Sequence, residues 1–410
     1  MSIEATQPAK SKFPLHTQIL VAIVLGLCLG PLLGTRASGL GELGRLVIQL
    51  IKAAAAPLLF FSIVSAILKT EIRGASALRL IFWAFVNASI ALGIGLSLSN
   101  WFEPGRTLTG FATKAGATAA YANKKLDWLG TLKSFVPESL LTPFVENAVL
   151  TIVVVAVLFG AGLRRVRREQ QANGVEGFRG VEDGIDTLLR VMEIVLGWVI
   201  RLIPFAVFGV VTKAVGEHGY SPLKGLAVYV VIGLIGLALH IVITYQLWLV
   251  FVARMPLGKF WREAREPTVY AMGANSSLAT LPVTLRALER LGVSRSASAL
   301  GACVGTNFNN DGIILYEGMA VLFVAQASGI QLTVPQQALA ALACMVAAMG
   351  VAGVPEAGFV SLALVLNTVG LPIEILPLLL TCDWIIARGR SVTNVLSDML
   401  LSILIDKKAA

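Results

Sequence analysis

The chain has 410 residues, 56% hydrophobic and only 14% charged, with a formal net charge of +9. An ordinary soluble domain is about 25% charged, so this composition reads as a polytopic membrane protein. The positive excess is no nucleic-acid signal, because placement matters more than the sum and the basic residues crowd particular loops.

Apolar runs at 14–34, 46–68, 80–103, 148–163, 186–215 and 225–253 each approach or exceed the roughly 20 residues of a bilayer crossing. Six spans are therefore expected before residue 260. The first run is too long for a signal peptide and acts as a span. With both termini cytoplasmic, the inner side holds Lys10, Lys12, Lys69, Arg73, Arg79, "RRVRR" at 164–168, Arg254, Lys259, Arg262, Arg265, Lys407 and Lys408. The expected outer loops at 325–340 and 367–380 hold no Lys or Arg, which is the positive-inside asymmetry. The loop at 104–135 departs from it with Lys114, Lys124, Lys125 and Lys133, but long loops count little. Cys28, Cys303, Cys344 and Cys382 lack CxxC spacing and read as packing residues. His16, His218 and His240 lack ligand spacing and receive no chemistry.

Beyond residue 260 the apolar segments shorten. "GANSSLATLP", 273–282, joins two apolar pieces through a small polar tip and predicts a re-entrant hairpin. Lipid cannot satisfy the backbone of such a tip, so it marks a cavity or protein-lined site. "LGACVGTNFNNDGIILYEGMAVLFVAQ", 300–326, is long enough to cross but is broken by Gly305, three asparagines, Asp311 and Gly312. Unwound backbone frees carbonyls, and carbonyls beside a carboxylate suit a dehydrated monovalent cation. "MGVAGVPEAGFVSLALVLNTVGLP", 349–372, repeats the hairpin pattern. Two hairpins, each followed by a polar-interrupted helix, point to an inverted-repeat transporter with its site where the repeats meet.

The last such helix carries "DWIIARGRSVTNVLSD", 383–398, between apolar flanks. Asp383, Ala387, Arg390, Asn394 and Asp398 are spaced by 4, 3, 4 and 4 and form one stripe. Each ionised group at the bilayer centre costs about 2.5–3.5 kcal/mol, so the stripe must face a partner, an ion or a ligand. An arginine's fixed fork suits a carboxylate bidentately. Arg390 is the candidate to grip an anionic substrate; alternatively it neutralises Asp383 or Asp398. Arg388 lies off the stripe and reads as a structural or interfacial charge. Asp398 and Asp311 are hard oxygen ligands for cations.

These motifs resemble the dicarboxylate/amino acid:cation symporters, which include excitatory amino-acid transporters and bacterial aspartate, glutamate and four-carbon dicarboxylate carriers. "SSLATLPVT" resembles the family's first hairpin and "NFNNDG" its Asn-Met-Asp-Gly-Thr signature. "GVPEAGFVSLALVLNTVGLP" resembles its second hairpin, and "RSVTNVLSD" its eighth-helix binding motif. The resemblance implies an all-α membrane protein of eight transmembrane helices and two re-entrant hairpins, an inverted-repeat elevator transporter, usually a homotrimer in lipid. It divides the chain into scaffold helices one and two (1–75), a third helix of the transport domain (76–103), scaffold helices four and five (104–222), and a sixth helix with the transport core (223–410). That core comprises a hairpin at 256–296, a broken helix at 297–327, a hairpin at 335–372 and an eighth helix at 375–405. By position, Ser276, Ser277, Ser391 and Asn394 would hold one substrate carboxylate and Arg390 the other, with Val354 and Gly358 in a gating second hairpin. Asp398 with carbonyls of Gly305, Asn309 and Asn394 matches one sodium site; Asp311 and Asn309 match part of another.

The departures from the family bear on the substrate. Amino-acid carriers place an aspartate one turn before the arginine to pair with the substrate's ammonium, and this chain has Ala387 there. An ammonium desolvated beside Arg390 without an anion is heavily penalised. The expected substrate is a dicarboxylate without an amino group; the alternatives are an acidic or neutral amino-acid symporter with its ammonium partner elsewhere, and an anion channel. The signature's threonine is Ile313, which makes the pocket more apolar, and its methionine is Asn310. The third-helix Thr-Ser of one cation site appears as Asn87 and Ala88, leaving the number and identity of coupled cations open.

Glu317 sits where proton-coupled members carry a glutamate, and Glu356 adds a carboxylate at the second hairpin. A glutamate held away from water can carry a proton near neutrality. Carrying a dianion inward against 100 mV costs about 4.6 kcal/mol, which one cation leaves opposed. No cofactor is expected beyond at least two coupled cations, Na⁺ with or without H⁺. The expected location is the inner membrane.

Overall fold

The computed structural model describes residues 14–69, 75–108, 136–174, 177–349 and 357–406. Val354 and Glu356 of the expected second hairpin, both chain termini and the lysines of the 104–135 loop lie outside these residues. All regular structure among the described residues is helical.

The first apolar runs form α1 (Leu15–Leu33) and α2 (Gly41–Lys69), joined by a 3₁₀ turn at Gly34–Leu40. Leu20, Val24 and Leu32 of α1 are exposed while Gly26 and Gly30 are buried, the pattern of a helix with one face toward lipid. The stretch Leu15–Lys69 is 55 residues long. At about 1.5 Å per residue it far exceeds one crossing of a ~30 Å hydrocarbon core. Next come α3 (Ala75–Phe102) and α4 (Val149–Ala172).

The run at 186–215 is not one straight span. It belongs to α5 (Arg179–Ile200) and α6 (Ile203–His218), which are bent by 40°. Pro204 explains the break: its ring and missing N–H cannot continue a helix but suit the first turn of a new one. α1 lies against α6 through Gly26 and Gly30. A Cβ on either would sit 2.9 Å from Val211 or Val215, so only hydrogen there permits this approach.

α7 (Ser221–Leu239) does not simply run on to residue 253 as an α-helix; it continues as π-helical turns at His240–Tyr245 and Trp248–Val252. π-turns are rare and concentrate at functional sites. Among the described residues, four helical stretches are long and apolar enough to cross a membrane, and five if the bent pair counts as one. The chain is a multi-pass membrane protein.

Then follow α8 (Leu257–Ala274) and α9 (Ser277–Leu291), joined by a two-residue turn. Asn275 occupies the left-handed region at φ 50°, and Ser276 caps α9 by accepting from the Ala279 N–H at 3.2 Å. The open ends of this pair are tied by Arg290, whose Nε donates to Glu263 at 2.6 Å and whose Nη2 donates to Glu266 at 3.0 Å. A helical stretch from Arg295 to Phe308 stops at Asn309 and Asn310, whose backbones are non-helical, and α10 (Asp311–Ala327) resumes. α11 (Val334–Ala348) opens with a Thr333/Gln336 capping box. α12 (Ala357–Thr368) and the long α13 (Leu376–Ile405) complete the chain.

The start of α10 presses on α13. A Cβ on Gly312 would sit 2.6 Å from the Arg390 carbonyl oxygen, so a glycine is required there. Polar ties from α2 and from the segment leading into α4 meet this later part at the end of α12. Lys52 Nζ donates to Asn367 Oδ1 at 3.0 Å, Asn367 Nδ2 donates to the Glu146 carbonyl at 2.7 Å, and the Val149 N–H donates to Thr368 at 3.4 Å. Packing describes Cys344 and Cys382, which are buried, but not Cys28, which is exposed on α1.

Candidate functional site

Three kinds of helix interruption meet along one face of α13. The α8–α9 turn meets it where Ser391 Oγ donates to Asn275 Oδ1 at 3.0 Å. The break of the preceding helix meets it at Asn394, whose Oδ1 accepts from the Gly312 N–H at 2.8 Å while Nδ2 donates to Asn310 Oδ1 at 3.2 Å. The ends of α11 and α12 close the group. Asn310 Nδ2 donates to the Ala348 carbonyl at 2.8 Å, and a Cβ on Gly358 would lie 3.4 Å from both Arg390 Cζ and Ile313. Burial is nearly complete: Ser276, Ser277, Ile313, Ala387, Arg390, Ser391, Asn394 and Asp398 are all at most 9% exposed. Ser277 Oγ accepts from Thr306 at 3.0 Å, which ties the first turn to the broken helix as well.

Arg390 is not an unaccompanied guanidinium. Its Nη1 and Nη2 donate to the two oxygens of Asp383 at 2.7 and 3.0 Å, a bidentate fork between buried groups. Its Cζ also lies 4.0 Å from the centre of the Tyr316 ring, a cation–π contact. Of the two readings of Arg390 open in the sequence, resident neutralisation describes this structure, with Asp383 rather than Asp398 as partner. The geometry also demonstrates that this guanidinium presents two parallel N–H groups to a carboxylate. Arg388 turns away, donating to the Trp384 carbonyl at 2.5 Å and lying over that residue's ring.

The oxygens around the break form a second cluster. Asn309 Oδ1, Asp311 Oδ1 and Asp398 Oδ1 are buried there, as is Glu317 Oε2 further along α10, and among the described residues none meets a donor of the protein. Buried acceptors without donors are uncommon and ask for an explanation such as a bound ion. Asp398 lies against Thr306 and Asn309, and a Cβ on Gly305 would be 3.5 Å from its Oδ1. Asp311 holds its other oxygen differently: Oδ2 accepts from Ser397 Oγ at 2.6 Å and Tyr245 Oη at 3.0 Å, with His240 Nε2 at 3.3 Å. Ser397 in turn accepts from Asn309 Nδ2 at 2.6 Å. Among the described residues no three of His, Cys, Asp or Glu gather as a set for a transition metal. Carboxylate, amide and hydroxyl oxygens are the ligands of hard cations rather than of soft transition metals.

Glu317 is fully buried on α10, and its Oε1 is hydrogen bonded to Ser361 of α12. The same Ser361 Oγ lies 3.0 Å from the Gly358 carbonyl. At the former Thr-Ser position, Asn87 Oδ1 accepts from Trp248 Nε1 at 2.8 Å, and Ala88 offers no oxygen. Sequence reasoning assigned no chemistry to His240, and it passed over Tyr245, Tyr316, Ser361 and Ser397. The signal for His240 was available: it is an ionisable residue within the apolar run "GLIGLALHIVITYQLWLV", and intramembrane ionisable residues face partners.

A multi-pass helical protein that gathers a forked arginine and donor-free oxygens at helix breaks is built as a transporter, not an enzyme. Residues 15–408 match the sodium:dicarboxylate symporter family, and the chain belongs to that family. It is 30% identical over 404 residues to the C4-dicarboxylate transport protein of Anaeromyxobacter sp. (strain K), covering 96% of this chain and 89% of that one. The C4-dicarboxylate transport protein of Bacillus subtilis (strain 168) is 29% identical over 409 residues, covering 96% and 93% of the two chains. C4-dicarboxylate transport protein 3 of Ralstonia nicotianae is 30% identical over 393 residues, covering 94% and 86%.

Proposed function

We propose that this protein is a symporter that carries a dicarboxylate without an amino group, driven by Na⁺ and/or H⁺. The observation that carries this reading is membership of the sodium:dicarboxylate symporter family over residues 15–408; Arg390, whose fork Asp383 holds in this structure, is the buried guanidinium placed to take a substrate carboxylate in its stead. A substrate carboxylate would displace Asp383 from that fork. Ser391, Asn275 and the second N–H of Asn394 lie along the same face for the other carboxylate, near the α9 N-terminus, where a helix favours negative charge. The names of the relatives agree with a four-carbon dianion.

Ala387, 2% exposed and one turn before Arg390, supports exclusion of amino acids, because no anion stands there for an ammonium. The expected result of an uptake screen in proteoliposomes is accumulation of succinate, fumarate or malate with little aspartate or glutamate. Ala387→Asp should reverse part of that preference and raise aspartate uptake about tenfold, the worth of one charged hydrogen bond. Aspartate preferred over succinate by the unsubstituted protein would establish the amino-acid reading instead.

Asp398 with Gly305, Asn309 and the Asn394 carbonyl would form one sodium site, and Asp311 with Asn309 another. Proton transfer through Glu317 has separate support. The Ser361 hydroxyl has one hydrogen and faces two acceptors, so a protonated Glu317 satisfies both contacts by donating to Ser361, which then donates to Gly358. Replacing sodium by choline should therefore abolish most uptake, and removing the pH gradient should lower what depends on the proton. Uptake indifferent to choline but abolished without a pH gradient would mark a pure proton symporter.

The motion we infer is an elevator. α1, α2 and α4–α6 stand as scaffold, while α3 and α7–α13 move as a core of two re-entrant hairpins and a broken helix, in an eight-span trimer of the inner membrane with cytoplasmic termini. Polar ties at Lys52, Gly105, Glu146 and Val149 are compatible with a face that slides.

A further inference from the structure

Asp311 is held by one of its two carboxylate oxygens. Ser397, Tyr245 and His240 converge on Oδ2, while Oδ1 meets no donor among the described residues. The direction of these bonds is determined by counting hydrogens. The single Ser397 hydrogen goes to the carboxylate, so Ser397 accepts from the Asn309 amide, and Asn309 Oδ1 is thereby turned away and left free. Two buried oxygens, one of them anionic, are thus kept open by a network whose donors all act elsewhere.

The π-turn that continues α7 makes this possible. His240 and Tyr245 are five positions apart, and on an α-helix they would point about 140° away from each other. The i→i+5 geometry of His240–Tyr245 brings both onto one face, with ring centres 4.8 Å apart and both polar atoms at Asp311. His240 is fully buried and its Nδ1 meets no donor or acceptor, so Asp311 is the one polar group that accounts for its orientation among the described residues. On the third helix, the Asn87 side-chain oxygen is taken by Trp248, and the Ala88 side chain has no oxygen to offer.

We propose that His240 is a positioning residue for a monovalent cation carried at Asp311: it pins Oδ2 and so presents Oδ1 together with Asn309 Oδ1. The inference rests on the reading of the chain as a cation-coupled transporter. Partners that orient a metal-ligating group are worth about tenfold to a hundredfold in affinity.

The test uses the full-length protein in proteoliposomes and measures succinate uptake against sodium concentration. His240→Leu should raise the half-saturating sodium concentration about tenfold or more while the succinate KM at saturating sodium stays within about twofold, and His240→Gln, which places an amide N–H near the Nε2 position, should recover to within about threefold of the unsubstituted protein. Sodium-dependent shifts in the melting temperature of the detergent-solubilised variants give the same ranking without transport. If His240→Leu does not fold, His240→Asn, whose amide falls short of Asp311, replaces it. Unchanged half-saturation in the Leu variant, or a Gln variant as impaired as the Leu variant, overturns the role of His240 while leaving sodium coupling intact. An unsubstituted protein whose uptake ignores sodium overturns the coupling reading itself.

Discussion

Arg390→Lys is expected to lower succinate uptake at sub-saturating concentrations by about a hundredfold or more. Hydrogen bonds to charged groups contribute about 1.5–3 kcal/mol each, and a lysine replaces two parallel bonds by one point contact. Losing about 3 kcal/mol corresponds to roughly a hundredfold in binding. The cation–π contact with Tyr316 adds to the loss, because it is desolvated and a lysine ammonium would not keep the guanidinium's position over the ring. The measurement is the initial rate of labelled succinate uptake, normalised to folded protein in the vesicles. A variant within about threefold of the parent, far short of that hundredfold, would remove Arg390 from the substrate site.

Asp383→Asn is expected to separate two activities. In the proposed cycle, substrate and Asp383 compete for one fork, so removing the competitor's charge should lower the succinate KM. The empty core must then return with Arg390 facing a neutral amide. An uncompensated arginine at the bilayer centre costs about 2.5–3.5 kcal/mol, so net uptake should fall about a hundredfold while exchange of internal for external succinate, which never needs the empty core, persists. Parallel measurements of net uptake and of exchange in succinate-loaded vesicles check this. Equal loss of both would mean that Asp383 only holds the fold around α13.

Much of this site was legible in the sequence, for reasons that are local. A stripe at spacings of 4, 3, 4 and 4 can only be one helix face, and polar breaks inside apolar runs can only survive where protein satisfies them. The partner of Arg390 was open between Asp383 and Asp398, yet one local rule favoured Asp383. Side chains on a helix tilt toward its N-terminus, so a long residue at 390 reaches back two turns rather than forward. The straight span expected across 186–215 divided at Pro204 because an interior proline breaks a helix, a rule that was likewise present in the residues.

What was not legible depends on contacts between distant segments. His240 lies 71 residues from Asp311, and no spacing rule along α7 and its continuation would have aimed it there, because the π-turn that does so changes the period on which such rules rest. The pairing of Ser361 with Glu317 and of Trp248 with Asn87 is of the same kind.

By itself the sequence determined the medium, the helical class, the interrupted segments and the identity of the charges that had to be buried, since each follows from the cost of placing polar atoms in hydrocarbon. Only the tertiary structure decided which oxygens are satisfied and which are left open, because a hydrogen bond depends on tenths of an ångström between groups that chain order leaves far apart.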